Sequence, residues 1–163
     1  RFAAIDFCRR THCHIRTLEA VPANGQTHEI ELEAPTRDLQ ITKVYAASVG
    51  GRPWPLASTS MGLAMARTQS TEDFAFTQDN QMLLVYPLQP QGILVQVDAA
   101  LIPSATSTKL DPEVASVHAD DIAHGIIARL QSIPKQDFTD LNLAAINQQR
   151  FKDRIATVAM KVQ

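Results

Sequence analysis

Residues 81–134 constrain the fold of this chain more strongly than any other stretch. Two apolar segments, 82–87 and 93–97, are separated by the turn-forming residues 89–92. A longer segment with apolar residues at helical spacing follows, and Pro134 ends it. Side chains repeat their direction every two residues in a strand and about every 3.6 residues in a helix. The sequence therefore predicts a β part followed by a helical part.

The segment before this stretch also has the periodicity of a strand. Residues 27–34 alternate apolar side chains with glutamates, which is the pattern of a half-buried antiparallel strand. Asn24 and Gly25 come just before it, and an Asn-Gly pair is a strong signal for a hairpin turn. We therefore expect a hairpin between residues 17–21 and residues 27–34.

A glycine pair and a proline-rich segment mark further turns. Residues 39–49 have the composition of a strand, which Gly50 and Gly51 end. Arg52 and Trp54 follow, interleaved with prolines that lack the N–H group a central strand needs, so a loop or a sheet edge is expected. Five or six short strands joined by tight turns are typical of a small antiparallel β-sandwich or barrel.

Helices are predicted at both ends of the chain. Residues 1–10 are amphipathic, and Asp111 followed by Pro112 provides the N-cap and first position of a second helix. A third helix is expected to begin near Asp140, and residues 58–66 fit a short helix only weakly because they contain a glycine. The apolar stripe of the second helix comprises Ala115, Ala119, Ile122, Ile126 and Leu130. One side of the third helix comprises Leu143, Asn147, Phe151, Ile155, Val158 and Val162.

This order of segments predicts an α+β fold. A small antiparallel β-sandwich or barrel, residues 15–104, is inserted between an N-terminal helix and two C-terminal helices. The helices, in residues 1–14 and 105–163, are expected to form a helical bundle. A chain of 163 residues can bury a core without the help of disulfides.

Composition argues against several classes of function. A formal net charge of −2 gives no overall attraction for nucleic acid. No apolar run is long enough for a transmembrane helix. Cys8 and Cys13 are so close in sequence that a bridge would restrict the unfolded chain little. We therefore expect two reduced thiols and a reducing compartment.

Two groups of side chains have the composition of chemical sites. The first comprises Cys8, His12, Cys13 and His14, and the second comprises His118, Asp120, Asp121 and His124. The first group lacks the C-x2-C pair that is typical of structural zinc sites. In the second, Asp121 lies three residues before His124 and is expected to orient it. We interpret both groups as structural and predict no catalytic residue, no metal site and no cofactor.

Several segments resemble the neck adaptor proteins of short-tailed phages, of the tail tubular protein A type. The resemblance is carried by FAAIDFCRRT at residues 2–11, GGRP at 50–53, LLVYPLQP at 83–90, ALIPS at 100–104 and IAHGIIARL at 122–130. It continues through residues 137–140 and 147–155. It covers most of the chain, whereas residues 58–77 depart from the family pattern.

The resemblance implies a structural head-to-tail adaptor that forms a ring of about twelve copies between the portal and the tail nozzle or tail fibres. The helical part then faces the portal and the β part faces the tail, and DNA passes through the channel without sequence-specific binding. Portal contacts are implied at Phe151, Arg154, Ile155, Val158 and Val162. Nozzle or tail contacts are implied at Asn24, Gly25, Arg52, Trp54, Gln89 and Gly92. Such a protein is located in the neck of the virion after assembly in the host cytoplasm, with no membrane involved.

A different class of function stays open on the residues alone. A cytoplasmic α+β domain that binds a ligand or hydrolyses a substrate could use Cys8, His12 or His124. The sequence contains no nucleophile elbow and no phosphate-binding loop. The preferred hypothesis is therefore a non-enzymatic adaptor.

Overall fold

The computed structural model describes residues 1–54, 75–79 and 81–162, and the protein has an α+β fold. Its described helices are α1 (Phe2–Thr11), α2 (Pro112–Gln131) and α3 (Leu141–Val162). The described strands are β1 (Ile15–Thr17), β2 (Val21–Pro22), β3 (Glu29–Glu31), β4 (Leu39–Val49), β5 (Arg52–Trp54), β6 (Ala75–Asp79), β7 (Met82–Tyr86) and β8 (Leu94–Pro103). The weak helix predicted at residues 58–66 lies outside the described residues.

The chain divides into two compact units. A helical unit contains residues 1–14 and 102–163, and a β unit contains residues 15–101. The second division comes before Ile102, whereas the sequence placed it after Ser104. The reason is that Ile102, although part of β8, is buried in the core of the helical unit. No helix in the described part of the chain has the length and apolarity needed to cross a bilayer.

Two antiparallel sheets build the β unit. One has the strand order β1-β8-β4-β5, with β2 also paired to β8, and the other has the order β3-β7-β6. Both sheets contribute to one core, for example through Val44 and Val97 from the first and Leu83 and Val85 from the second. A side-chain bond also joins them, since Gln78 Oε1 accepts the backbone N–H of Val44 at 2.6 Å. The unit is therefore a small β-sandwich.

The hairpin predicted at Asn24 and Gly25 is wrong, and the turn at residues 89–92 does not join paired strands either. After Asn24 and Gly25 the chain passes from β2, which pairs with β8, to β3, which pairs with β7. Residues 89–92 connect β7 to β8, again between the two sheets. The turn at Asn24 closes locally, because its Oδ1 accepts the N–H groups of Gln26 and Thr27 at 2.8 and 2.9 Å. Such a turn reverses the direction of the chain, but it does not determine that the strands on its two sides pair with each other.

The hairpin between β4 and β5 has the turn expected from its glycines. Gly50 and Gly51 have φ angles of 57° and 78°, as a two-residue type I′ turn requires. Val49 pairs with Arg52 across the turn. β5 lies at the end of the described sheet, as the prolines predicted.

Local capping explains the bounds of the helices. Asp111 caps α2 by accepting the N–H of Glu113 at 3.0 Å, and Pro112 occupies the first turn. Asp140 caps α3 in the same way through the N–H groups of Asn142 and Leu143. At the C-terminal end of α1, His12 adopts the left-handed conformation with φ 51°. The cap predicted at Asp111 and the helix start predicted near Asp140 are thus confirmed.

The predicted inner face of α2 is largely wrong. Of its stripe only Ile122 is buried; Ala115 is half-buried, and Ala119, Ile126 and Leu130 are exposed. The residues that face the core are Val114, Ile122, Gly125 and Ala128. Small residues take this face because α2 packs closely on α3, and a Cβ on Gly125 would lie 2.8 Å from Cε2 of Phe151. Other large apolar side chains of α2, namely Val117, Ile126, Ile127 and Leu130, are left exposed.

Candidate assembly surfaces and polar sites

Two of the residues assigned to portal binding are core residues. Phe151 and Ile155 are 1% and 4% exposed. The ring of Phe151 lies 6.1 Å from the ring of Phe7 in α1 and contacts Gly125 in α2, so it packs all three helices together. A partner could reach these side chains only if the helical unit opened. Their assignment as contact residues is therefore corrected.

The other three assigned residues of α3 have some surface. Val158 and Val162 are half-buried, and Val158 packs against the core of the helical unit. Arg154 is exposed, and its Nε lies 3.3 Å from Oδ1 of Asp121 on α2. This charge already has a partner within the unit, although an exposed pair of this kind contributes only about 0–1 kcal/mol. Portal binding by these three residues stays a prediction.

Exposed apolar side chains are concentrated in the last part of α2, the first part of α3 and the segment that joins them. Among the described residues, eight of the fourteen large exposed apolar side chains fall between residues 126 and 146. We call this set the hairpin tip: Ile126, Ile127, Leu130, Ile133, Phe138, Leu141, Leu143 and Ile146. Large exposed apolar patches on soluble proteins usually mark interaction sites. The hairpin tip has the composition of a contact surface.

Sequence reasoning missed the hairpin tip for a definable reason. Ile126 and Leu130 were assigned to the inner face because large apolar residues are usually buried. α2 carries apolar residues around most of its circumference, and such a helix is normally covered on all sides. The sequence therefore did indicate an exposed apolar surface, because α2 contains more apolar residues than one neighbouring helix can bury.

The three turns assigned to the nozzle contact lie together at one end of the β unit. The N–H of Gly92 donates to the carbonyl oxygen of Ala23 at 2.9 Å, and the N–H of Gly50 donates to that of Leu94, also at 2.9 Å. Gly25 fits so closely that a Cβ there would lie 3.0 Å from the backbone nitrogen of Gln91. We call residues 24–26, 50–52 and 89–92 the three-turn end. Most of its side chains are exposed.

Two of the assigned nozzle residues are less available than the sequence suggested. Trp54 is 9% exposed and belongs to the core of the β unit, so its assignment as a contact residue is corrected. It alternates with Pro53 along β5, which directs its ring inward. Gln89 is half-buried and donates from Nε2 to the carbonyl oxygen of Pro87 at 2.7 Å. Asn24, Arg52 and Gly92 are exposed, and Gly25 is half-buried.

The Cys-His group near the N-terminus separates into two arrangements. Cys8 is buried and Cys13 is half-buried, and both cysteines are free. His14 is buried, with Nε2 at 3.8 Å from Oδ1 of Asp111 and 3.6 Å from Oε2 of Glu113. These last three side chains offer ligand atoms within 4.8 Å of one another, and their nitrogen and oxygen donors fit a divalent cation. The same geometry fits an ion pair when the imidazole is protonated.

The two histidines of α2 have different partners from those expected. Asp121 Oδ2 lies 3.4 Å from Nδ1 of His118, one turn earlier, so it does not orient His124 as predicted. His124 instead lies with Nδ1 at 3.1 Å from Oδ1 of Asn147 on α3. Asn147 in turn donates from Nδ2 to the carbonyl oxygen of Leu143 at 3.0 Å. His124 thus belongs to a polar contact between α2 and α3.

An apolar groove of about 450 Å³ lies in the helical unit. Ala4, Leu110, Ile122 and Ile126 contribute to its lining, with Arg1 and Lys109 as its charged residues. Cys8, His12 and His124 are not among the described residues that line it. The candidate nucleophile and bases of the alternative function therefore do not point to this groove as a substrate site.

The sequence matches no protein-family model, and no curated protein matches it either.

Proposed function

We propose that this chain is a structural head-to-tail adaptor, which assembles as a ring between the portal and the tail nozzle of a short-tailed phage. The observation that carries the proposal is the hairpin tip, where eight large apolar side chains are each between 40% and 69% exposed. Burying apolar surface stabilises an association by roughly 25 cal/mol per Å² before the costs of association are subtracted. A chain whose outer helix faces are apolar gains from contact with copies of itself or with another subunit.

The arrangement of the β unit supports the same proposal. The three-turn end gathers turns that are far apart in sequence into one exposed, mainly polar surface. Contacts between subunits that fold separately are about as polar as the rest of a protein surface, so the composition of this end is compatible with such a contact. The protein thus offers an apolar surface in the helical unit and a polar surface in the β unit.

A ring requires one heterologous contact repeated until it closes. Each subunit must then present two different surfaces that fit each other. The hairpin tip is proposed as one of them, and its partner surface lies on the next copy or on the portal. The alternative function, a ligand-binding or hydrolytic domain, is favoured by no comparable observation.

The first experiment measures assembly of the full chain with the portal protein encoded in the same genome. Native mass spectrometry and negative-stain electron microscopy should show a closed ring seated on the portal. The double variant Leu130→Glu/Ile146→Glu places two charges in the hairpin tip, at residues that are 47% and 49% exposed, so the fold should be retained. We expect ring formation to be lost and the circular dichroism spectrum to be unchanged.

Val117→Glu is the matched control, since Val117 is a 71% exposed apolar residue of α2 outside the hairpin tip. It should assemble normally. Assembly of the double variant at the wild-type level would refute the role of the hairpin tip. A wild-type chain that never associates with itself or with the portal would refute the adaptor function as a whole.

A further inference from the structure

The apolar groove of the helical unit has the size and lining of a docking site. Its volume is about 450 Å³, and Ala4, Leu110, Ile122 and Ile126 contribute apolar side chains to it. Clefts of about 300–1,000 Å³ are typical of sites that bind a ligand. We call it the helical groove. A groove of this size can receive more than one apolar side chain.

The charged residues of the helical groove are both cationic. Arg1 and Lys109 line it, and no acidic residue is among its described lining residues. The backbone at Lys109 is fixed by Ser107, whose hydroxyl donates to the carbonyl oxygen of Lys109 at 2.7 Å and accepts its N–H at 3.2 Å. The helical groove therefore fits an occupant in which apolar side chains lie next to negative charge.

The segment that joins α2 to α3 has this composition. We call residues 132–141 the joining loop. Of the fourteen large exposed apolar side chains in the described part of the chain, Phe138 and Leu141 are the two that directly follow an acidic residue. The loop contains two aspartates and one lysine, so its formal charge is opposite in sign to that of the groove. Asp137, next to Phe138, is exposed.

Hydrogen bonds hold the joining loop in one shape. The N–H of Gln136 donates to the hydroxyl of Thr139 at 3.1 Å, and the N–H of Thr139 donates to the carbonyl oxygen of Gln136 at 3.0 Å. The N–H of Asp140 donates to the carbonyl oxygen of Gln131, at the end of α2, at 3.1 Å. Phe138 is 51% exposed in this arrangement. Because the loop is ordered before it binds, association costs less conformational entropy.

The joining loop does not fill the groove of its own copy. None of the described residues that line the groove belongs to the loop. The bond to Gln131 holds the loop at the end of α2, whereas Ile122 in the groove lies about 13 Å earlier along this helix. The loop of a second copy has no such restriction.

We propose that the helical groove of one copy receives the joining loop of the next, with Phe138 in the groove and Asp137 beside Lys109. This inference rests on the proposed function and specifies the contact that is repeated around the ring. The groove and the loop are different surfaces of one subunit, as a heterologous contact requires. Burial of apolar surface supplies the affinity, and the opposite charges select the orientation.

Charge reversal tests the contact in the full chain, with association between copies measured by analytical ultracentrifugation and, on the portal, by native mass spectrometry. Lys109→Glu and Asp137→Lys should each weaken association at least about tenfold, because each places like charges opposite each other. The double variant Lys109→Glu/Asp137→Lys should recover most of it, since the reversed charges attract again. Phe138→Ala should weaken association about 30-fold, as is typical of a buried aromatic anchor.

Lys152→Glu and Asp120→Lys are the matched controls. They make the same charge changes at exposed residues of the helical unit that belong neither to the helical groove nor to the joining loop. Both should associate like wild type. Circular dichroism should show the same spectrum for every variant, because the changed side chains are exposed.

A photo-crosslink locates the contact directly. Replacing Phe138 by p-benzoylphenylalanine keeps an aromatic side chain at this position. Mixing copies with light and heavy nitrogen isotopes distinguishes crosslinks between copies from crosslinks within one copy. In rings assembled on the portal, position 138 should crosslink to residues 107–110 or 122–126 of a different copy.

The possible failures separate this inference from the adaptor function. Rings in which position 138 crosslinks to the portal, to its own copy or to another part of the neighbour would overturn the contact and leave the adaptor function intact. A double charge variant that associates no better than the single variants would also contradict the pairing of Asp137 with Lys109. A wild-type chain that binds neither itself nor the portal would refute the adaptor function and this contact together.

Discussion

Gly125 shows how one residue decides the packing of the helical unit. Glycine inside a helix costs about 1 kcal/mol relative to alanine, so its presence there needs a structural reason. The reason is the ring of Phe151, which occupies the space where a Cβ would lie. Phe151 in turn contacts Phe7, and Phe7 lies 5.1 Å from His118. Because Gly125 has no Cβ, α1, α2 and α3 can all pack around the ring of Phe151.

Gly125→Ala is therefore expected to destabilise the protein although alanine favours helices. Its Cβ would lie 2.8 Å from Cε2 of Phe151, so the buried ring must shift. Overpacking of a core costs about 1–3 kcal/mol, which exceeds the gain of about 1 kcal/mol in helix propensity. Urea denaturation followed by circular dichroism measures the difference.

The matched control is the double variant Gly125→Ala/Phe151→Leu. A smaller side chain at position 151 leaves room for the new methyl group, so the alanine should cost much less in this background. The two single variants and the double variant form a thermodynamic cycle with a favourable coupling between the substitutions. A stabilising effect of Gly125→Ala in the wild-type background would show that the ring does not limit this position.

Among the elements, α2 separates what the sequence could predict from what it could not. Its start at Asp111 and Pro112 was predictable because capping depends on neighbouring residues only. Its inner face was not, since apolar residues surround the helix, and the contact of Gly125 with Phe151 depends on a residue that is distant in sequence. The periodicity of α3 was clearer, and Phe151 and Ile155 are buried as its pattern predicted.

The same distinction applies to the strands. The alternation around Ile30 was predictable and is confirmed, because burial of every second residue is a property of one strand. The partners of β2 and β8 were not, since pairing depends on which distant strands complete each sheet. The three-turn end combines both cases. Each of its turns was predictable from local sequence, but their proximity to one another was not, because it depends on how the strands are distributed between the two sheets.

The cap of α2 gives a prediction at the scale of this element. Asp111→Ala removes the acceptor for the N–H of Glu113 and should lower the free energy of unfolding by about 0.5–2 kcal/mol. Asp111→Asn keeps a good capping side chain and removes the charge near His14, so it should cost less than alanine. Thermal denaturation followed by circular dichroism measures both.

Asp120→Ala is the control for these variants, because Asp120 is an exposed residue within α2 and caps nothing. Its effect should stay within about 0.5 kcal/mol of wild type. Equal losses in Asp111→Ala and Asp111→Asn would instead assign the effect to the charge of Asp111 and not to capping.

At the scale of the whole molecule, the proposed function assigns ring assembly to the helical unit and tail binding to the β unit. The hairpin tip belongs to the helical unit and the three-turn end to the β unit, so substitutions in one should leave the function of the other intact. An adaptor with this division can form a ring on the portal before any tail protein arrives. Under this proposal, contacts of the hairpin tip form first and contacts of the three-turn end form afterwards.

This division predicts a variant that forms rings but does not bind the tail. Arg52→Glu/Gln91→Glu changes two exposed side chains of the three-turn end and leaves its backbone bonds in place. Arg37→Glu is the control, because it makes the same charge change as Arg52→Glu near the start of β4, whereas Arg52 follows the end of this 11-residue strand. The two sites are thus separated by a strand of roughly 35 Å.

Both variants should form rings on the portal, as seen by negative-stain electron microscopy. Binding of the purified tail nozzle protein to these rings, measured by co-sedimentation, should be lost in Arg52→Glu/Gln91→Glu and retained in Arg37→Glu. Equal nozzle binding by both would place the tail contact elsewhere on the protein. Loss of ring formation in the three-turn variant would show that this end of the β unit contacts neighbouring copies, because a surface reserved for the tail cannot affect a ring that forms without it.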